Sequence, residues 1–179
     1  MKQQFALRVL STAALMAMVS SIATAAFADT YDLTKGSVDI LAEGGKQYIT
    51  QWEDKGNDTC VKDGEGKEIR DREDSDITLT TKDETTDETK TTSNTVTITA
   101  EDGNTANVTL QDVDIRQPDS YWSGNTDPAP IEIKGNGDTN LELNGNNTVL
   151  SGNKKHAGIE KADVNGTGTL TIKDDVNDN

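Results

Sequence analysis

The feature that most constrains this 179-residue chain is a pair of markers that repeat in its second half. An alternating apolar run at Asn107–Leu110 recurs at Asn140–Leu143 and Thr169–Ile172, with leading apolar residues 33 and then 29 residues apart. A second marker, Ala129–Glu132, recurs at Ala157–Glu160 after 28 residues. Periods of this size are typical of repeat architectures in which each unit stacks on the one before. The spacing therefore predicts successive turns of a coil.

The repeated runs alternate apolar and polar residues and are separated by Gly, Asn and Asp, which is the pattern of short β-strands. Only 32% of the residues are apolar and 4% aromatic, whereas a compact globule carries about 45–50% apolar residues. A narrow β-solenoid tolerates this because its core is thin. We therefore predict an all-β coil of about three rungs, with Leu141 stacked between Val108 and Leu170. A β-sandwich is the alternative, since regularly spaced alternating strands also describe that fold.

The corners of such a coil explain the many Gly and Asn residues. Tight bends need positive φ, which Gly and Asn adopt at low cost, and stacked Asn amides can form a ladder along the coil.

Residues 1–28 have the pattern of a secretory signal peptide. Lys2 and Arg8 precede a stretch of apolar and small residues, and Ala26-Phe27-Ala28 fits a cleavage site before Asp29. A permanent membrane helix needs about 20 strongly apolar residues, and Ser and Thr interrupt this stretch. The sequence predicts export, a secreted or cell-surface location, and no membrane insertion after cleavage.

The mature chain divides into two regions by composition. Residues 29–94 are predicted to form an N-terminal β and capping region, with a hairpin around Gly44-Gly45 and a solvated acidic, Thr-rich loop from Thr80 to Asn94. Residues 95–179 are predicted to form the rungs. Because a solenoid end needs a polar capping unit, either Lys173–Asn179 caps the last rung poorly or the chain is a fragment of a longer protein. We expect a fragment.

Charge and residue counts exclude several functions. Without residues 1–28 the chain has 15 Lys and Arg against 32 Asp and Glu, a net charge of −17, which excludes nucleic-acid binding through phosphate neutralisation. The lone Cys60 forms no internal disulfide, and the lone His156 excludes a multi-histidine zinc site. No cofactor is predicted, and Ca²⁺ is the ion that oxygen-rich acidic corners favour.

Three stretches, NVTLQDVDI (107–115), APIEIKGNGDTNLELNGNNTVLSG (129–152) and HAGIEKADVNGTGTLTIKDD (156–175), resemble a family of secreted bacterial β-helix proteins. These proteins, found largely in Firmicutes, are described as carbohydrate-binding domain-containing proteins. The resemblance implies a right-handed parallel β-helix that binds an acidic plant polysaccharide such as pectin, sometimes with Ca²⁺. The matching motifs occupy turn and core positions, so no ligand residue is carried over.

Three aromatic residues are candidates for sugar binding. Tyr121 and Trp122 lie in an insertion between rungs, where exposed rings can mark a binding face or fold back as a hydrophobic plug. Trp52 is the third candidate, and its alternative role is to close the N-terminal end. Asp112 and Asp174 align in the predicted repeat, as weak candidates for Ca²⁺ ligands or as ordinary corner residues.

No catalytic residue is predicted. Glu132 and Glu160 recur on successive turns, which suits a solvated ladder better than the acid pair of a glycosidase. A lyase would add a basic residue beside Ca²⁺ ligands, and Arg116 has no such motif around it. The sequence therefore predicts an exported, non-enzymatic, polysaccharide-binding or cell-surface adhesive protein. A structural stalk, or the N-terminal fragment of a larger surface protein, is the alternative, followed by a polysaccharide lyase or hydrolase.

Overall fold

The computed structural model describes residues 29–119, 128–162 and 166–174. The predicted signal peptide lies outside these ranges. Within them the chain is all-β, apart from a single turn of 3₁₀ helix at Leu33–Lys35. None of the described residues forms a helix with the length and apolar character that a membrane crossing requires.

The strands, in chain order, are β1 (Thr30–Asp32), β2 (Ser37–Glu43), β3 (Lys46–Asp54), β4 (Thr59–Cys60), β5 (Arg72–Glu73), β6 (Ile77–Thr80), β7 (Thr91–Thr92), β8 (Val96–Ala100), β9 (Thr105–Gln111), β10 (Asp114–Arg116), β11 (Ile131–Lys134), β12 (Asp138–Asn144), β13 (Thr148–Leu150), β14 (Ile159–Lys161) and β15 (Leu170–Asp174).

Three sheets contain these strands in the described part of the chain. One sheet has five strands in the order β1-β6-β9-β12-β15, and one has three in the order β13-β10-β7. The third has seven strands, β14-β11-β8-β2-β3-β4 with β5 on β3. From β7 onwards, consecutive strands join the three-stranded, seven-stranded and five-stranded sheets in that repeating order. All pairings are parallel except those of β3 with β2, β4 and β5. The predicted all-β class is confirmed. The mainly parallel pairing differs from that of immunoglobulin-type sandwiches, which are built from antiparallel sheets.

The register confirms one predicted stack and corrects another. Leu141 pairs with Val108 as predicted, but its partner on the other side is Ile172, while Leu170 pairs with Thr139. The predicted alignment of the last run was therefore wrong by two residues. A shift of two keeps every side chain on the same face of a strand, so alternation alone cannot detect it.

One further predicted pairing is confirmed: Glu132 pairs with Glu160 in the second marker. Asn140 Nδ2 donates to Asn107 Oδ1 at 2.9 Å, a single amide contact that lies within strands β12 and β9 and not at the predicted corners. The corner argument needs a correction, because the described non-glycine residues with positive φ are all aspartates: Asp58, Asp71, Asp87 and Asp112.

Alternation sends one side of β2, β8, β9, β11 and β12 into a shared core. Neighbouring strands of the five-stranded sheet align Ile77, Val108 and Leu141 on the inward side, and these side chains are buried. Together with Ile98 and Ile131 of the seven-stranded sheet they belong to a single apolar cluster. Burial of such a face is the main stabilising contribution to a sheet protein. At the outermost strands Leu150 and Ile172 are 49% and 48% exposed.

The predicted hairpin is confirmed and has a larger role than expected. Gly44 and Gly45, with φ of 58° and 76°, form the two-residue turn between β2 and β3, as in type I′ hairpins. We call residues 44–76, between this turn and β6, the hairpin insert. It adds Ile49, Val61 and Ile69 to the core cluster at the N-terminal end of the parallel sheets.

The predicted loop from Thr80 to Asn94 is only partly a loop. Lys82 and Thr89 form an isolated bridge, and β7 pairs in parallel with β10. Thr92 of β7 aligns with the buried Ile115 and is itself buried. The prediction missed this strand because it contains no apolar residue, although β-branched threonine fits a half-buried sheet position. The 29–94 and 95–179 regions therefore share all three sheets.

Candidate functional site

The outward side of the seven-stranded sheet presents two rows of side chains across β3, β2, β8 and β11. In the first row Tyr48 faces Leu41, Leu41 faces Thr99, and Thr99 faces Lys134. An aromatic ring and an aliphatic side chain therefore lie beside a hydroxyl and an ammonium group. These side chains face outward because their strand neighbours fill the core.

The second row lies two residues along the same strands. Thr50 faces Asp39, Asp39 faces Thr97, and Thr97 faces Glu132. Trp52 is on the same side of β3 as Thr50, so Tyr48 and Trp52 lie four residues apart on one face, roughly 13 Å at the usual rise of a strand. Both aromatic residues line a cleft of about 380 Å³ between the rows. We call it the outer-face cleft.

Trp52 is a predicted site residue, and the structure places it in the wall of the outer-face cleft. Its Nε1–H donates to Asp39 Oδ2 at 2.7 Å. The guanidinium carbon of Arg70 lies 5.2 Å from its ring centroid, and Lys55 Nζ lies 5.9 Å from it, within the range of cation–π attraction. Lys55 also donates to Asp39 Oδ2 at 2.6 Å. The indole is thus held at both its polar edge and its ring.

Arg70 is anchored from outside the cleft. Its Nη1 donates to Asp58 Oδ1 at 2.8 Å and its Nε to Glu68 Oε2 at 3.4 Å. The hydrogen bond with Asp58 raises the pKa of the guanidinium. A cation beside the ring competes with a sugar for the same π surface. Trp52 therefore forms part of the cleft wall and is not a free surface for stacking.

Tyr48 was not among the predicted residues, although it has a detectable signal. It precedes Trp52 by four residues in a run that alternates, so both rings fall on one side of any strand there. What the sequence did not show is which other strands lie beside β3, and hence that Leu41, Thr99 and Lys134 complete the surface.

The remaining predicted residues are not brought to this cleft. Tyr121 and Trp122 lie outside the described residues. Asp174 pairs with Leu143, which pairs with Leu110, so the register does not align it with Asp112. Among the described residues no group of three or more His, Cys, Asp and Glu side chains is placed to hold a metal ion.

Asp112 instead stabilises the turn in which it lies. Its Oδ1 accepts a hydrogen bond from the backbone N–H of Asn146 at 3.0 Å, and Lys82 Nζ lies 3.6 Å from its Oδ2. Its φ of 51° is one that aspartate adopts more readily than most residues. These contacts match the predicted role of a turn residue.

Glu132 and Glu160 are neighbours on one sheet face, as predicted, and each carboxylate has a partner. Lys134 Nζ lies 2.7 Å from Glu132 Oε2, and His156 Nδ1 lies 2.8 Å from Glu160 Oε2. The backbone N–H of Ala157 also donates to Glu160 Oε2 at 3.2 Å. Glycoside hydrolysis uses two carboxyl groups on either side of a scissile bond, whereas these two side chains occupy adjacent positions of one row.

A second cavity of about 520 Å³ lies at the N-terminal end of the sheets. Several of its charged side chains are paired: Arg72 Nη2 lies 2.5 Å from Asp63 Oδ2, and Asp83 binds Lys90, which lies outside the lining. Backbone N–H of Lys67 and the Arg72 guanidinium lower the pKa of Asp63. The aromatic residue in its lining, Tyr31, is buried and donates its hydroxyl hydrogen bond to Asp74, so this cavity lacks the accessible ring that Tyr48 gives the outer-face cleft.

Comparisons of the chain with protein-family models, with curated proteins and with solved structures give no match. The chemistry of the outer-face cleft is therefore the basis for assigning a function.

Proposed function

We propose that this protein is an exported, non-enzymatic, polysaccharide-binding right-handed β-helix of the bacterial cell surface. The helical architecture is supported by the parallel pairings and by strands that join the three sheets in a repeating order, as expected when each turn stacks on the previous one. Export is supported by the signal-like residues 1–28 and by β1, which begins one residue after the predicted cleavage site.

The observation that carries the binding proposal is the composition of the outer-face cleft. Tyr48 and Leu41 supply an apolar surface, while Thr97, Thr99 and Asp39 lie beside it on neighbouring strands. Sugars present both apolar ring faces and hydroxyl groups, so they suit a site that combines an aromatic side chain with a few polar groups. A sheet face that spans several strands also suits an extended polymer.

Binding is tested with the mature chain, residues 29–179, on a glycan array and in pull-downs on insoluble polysaccharides, with and without EDTA. Tyr48→Ala is expected to weaken binding about tenfold, equivalent to about 1.4 kcal/mol, because it removes the ring from the cleft wall. Glu142→Ala is the control, since this exposed side chain belongs to the five-stranded sheet. Retention that needs Ca²⁺ is lost in EDTA.

Other outcomes favour the other functions. No retention on any polysaccharide rejects binding and leaves a structural stalk as the better proposal. Release of reducing or unsaturated sugar identifies a hydrolase or lyase. If Tyr48→Ala binds normally while a Tyr121→Ala and Trp122→Ala double variant does not, binding belongs to the predicted loop rather than to the outer-face cleft.

A further inference from the structure

We propose that the outer-face cleft selects uncharged glycans and rejects uronate-containing ones. This inference rests on the proposed polysaccharide-binding function and names the ligand class of the same site. It differs from the acidic polysaccharide that the sequence resemblance implies.

The cations around the cleft are already engaged by carboxylates. Lys55 Nζ lies 2.6 Å from Asp39 Oδ2, and Lys134 Nζ lies 2.7 Å from Glu132 Oε2. Each pair is already neutral, so a uronate placed against either ammonium group also meets the protein carboxylate beside it and gains little net attraction. Recognition of a polyanion needs cations that are available to it, and the two cation–carboxylate pairs do not supply them.

The one charge left over at the cleft is negative. Asp71 is exposed, lines the cleft, and makes no ion pair among the described residues. Its Oδ1 accepts from Thr50 Oγ1 at 3.2 Å, and its own N–H donates to the same hydroxyl at 3.0 Å. An ionised carboxylate can only accept hydrogen bonds, so it suits the hydroxyl groups of a neutral sugar and repels a uronate.

The net charge of the chain also disfavours binding of a polyanion. The full chain has a net charge of −15, and like charge slows the approach of a polyanion at distances up to the Debye length, about 10 Å at 0.1 M salt. A neutral glycan meets no such barrier. The hydroxyls of Thr97 and Thr99 add groups that can both donate to and accept from a sugar.

The test measures binding of the mature chain to soluble neutral glucan and galactan and to polygalacturonate, at low and at physiological salt. We expect binding to a neutral polymer with little salt dependence, and no binding to polygalacturonate. Asp71→Asn is expected to weaken neutral-polymer binding about fivefold, because an amide accepts hydrogen bonds less strongly than a carboxylate. Glu142→Gln, which makes the same change in net charge on another sheet, should bind like the wild type.

Each contrary result has a distinct meaning. Binding of polygalacturonate as tightly as the neutral polymers overturns the selectivity but leaves polysaccharide binding in place, and loss of that binding in Lys55→Met or Lys134→Met would show that these cations take the uronate. Unchanged neutral binding in Asp71→Asn rejects the role of that carboxylate. Binding to none of the polymers overturns the proposed function and this inference with it. Thermal unfolding of every variant separates lost binding from lost folding.

Discussion

Thr139 is a buried residue whose hydroxyl makes no hydrogen bond among the described residues. It is 1% exposed on the inward side of β12, in register between Ala106 and Leu170. We expect Thr139→Val to raise the free energy of unfolding by about 1 kcal/mol, because it replaces an unsatisfied polar group with a methyl group of similar shape. Urea unfolding of the two proteins measures the difference.

Thr81 provides the matched control for this prediction. It is equally buried, but its hydroxyl donates to the carbonyl of Asp112 at 3.2 Å and accepts from the N–H of Asp114 at 2.9 Å. Thr81→Val should therefore lower the free energy of unfolding by about 1–3 kcal/mol. If Thr139→Val also lowers the free energy of unfolding, the hydroxyl of Thr139 has a hydrogen-bond partner after all.

Tyr31 predicts how stability changes at high pH. Burial, together with the Asp74 carboxylate that accepts a hydrogen bond from its hydroxyl at 3.0 Å, raises the pKa of the phenol. The unfolded phenol ionises near pH 10, while the folded one stays neutral. Its contribution is therefore fully present below about pH 10 and is lost as the pH rises further. Urea unfolding at about pH 8 and about pH 11 should show a smaller loss in Tyr31→Phe than in the wild type; equal losses contradict the assignment.

Single residues of the site were only partly predictable. Trp52 was one of the predicted candidates, and the structure places it in the lining of the cleft. Tyr48 was missed, since its importance depends on the strands beside it. The ring of Trp52 contacts Arg70, which is 18 positions away in the sequence, and Lys55, which is three positions away. No local pattern indicates such contacts.

At the level of elements, glycines matter where the β8–β9 and β11–β12 connections approach each other closely. A Cβ on Gly137 would lie 2.2 Å from the carbonyl oxygen of Glu101 and 2.5 Å from that of Asn104. We expect Gly137→Ala to lower the free energy of unfolding by about 2 kcal/mol or more, since backbone atoms must move to make room. Gly64, where a Cβ meets nothing within 4 Å, is the control, and Gly64→Ala should change stability by less than about 0.5 kcal/mol. Equal effects of the two changes on chemical unfolding would contradict the close-approach argument.

Strands were predicted well wherever apolar and polar residues alternate. The β2–β3 hairpin and the runs that became β9, β12 and β15 all have this pattern. The alternation pattern did not predict β7, which consists of two threonines, or the register of β15. The two failures have different causes. β7 contains no apolar residue and so shows no alternation, whereas the offset of β15 depends on the length and path of its connection, which alternation does not report.

At the scale of the whole molecule, electrostatic repulsion opposes compactness. The sequence pI is about 4.3, so at neutral pH the excess of carboxylates destabilises the folded state. We expect added salt to raise the melting temperature at pH 7, because it screens this repulsion, and to have little effect near the pI. A melting temperature that falls with salt at pH 7 would show that the surface ion pairs outweigh the net charge. Calorimetry across both conditions measures the balance.

The hairpin insert contributes both to the core and to the outer-face cleft. It packs Ile49, Val61 and Ile69 against the first parallel strands, and its strand β3 carries Tyr48 and Trp52 on the opposite side. The same strand therefore contributes to stability through one face and to the proposed ligand contacts through the other. Loop grafting changes specificity where the binding segment is separable from the scaffold. In this protein, replacing the hairpin insert would open the core. Specificity changes have to come from single substitutions on the outward positions.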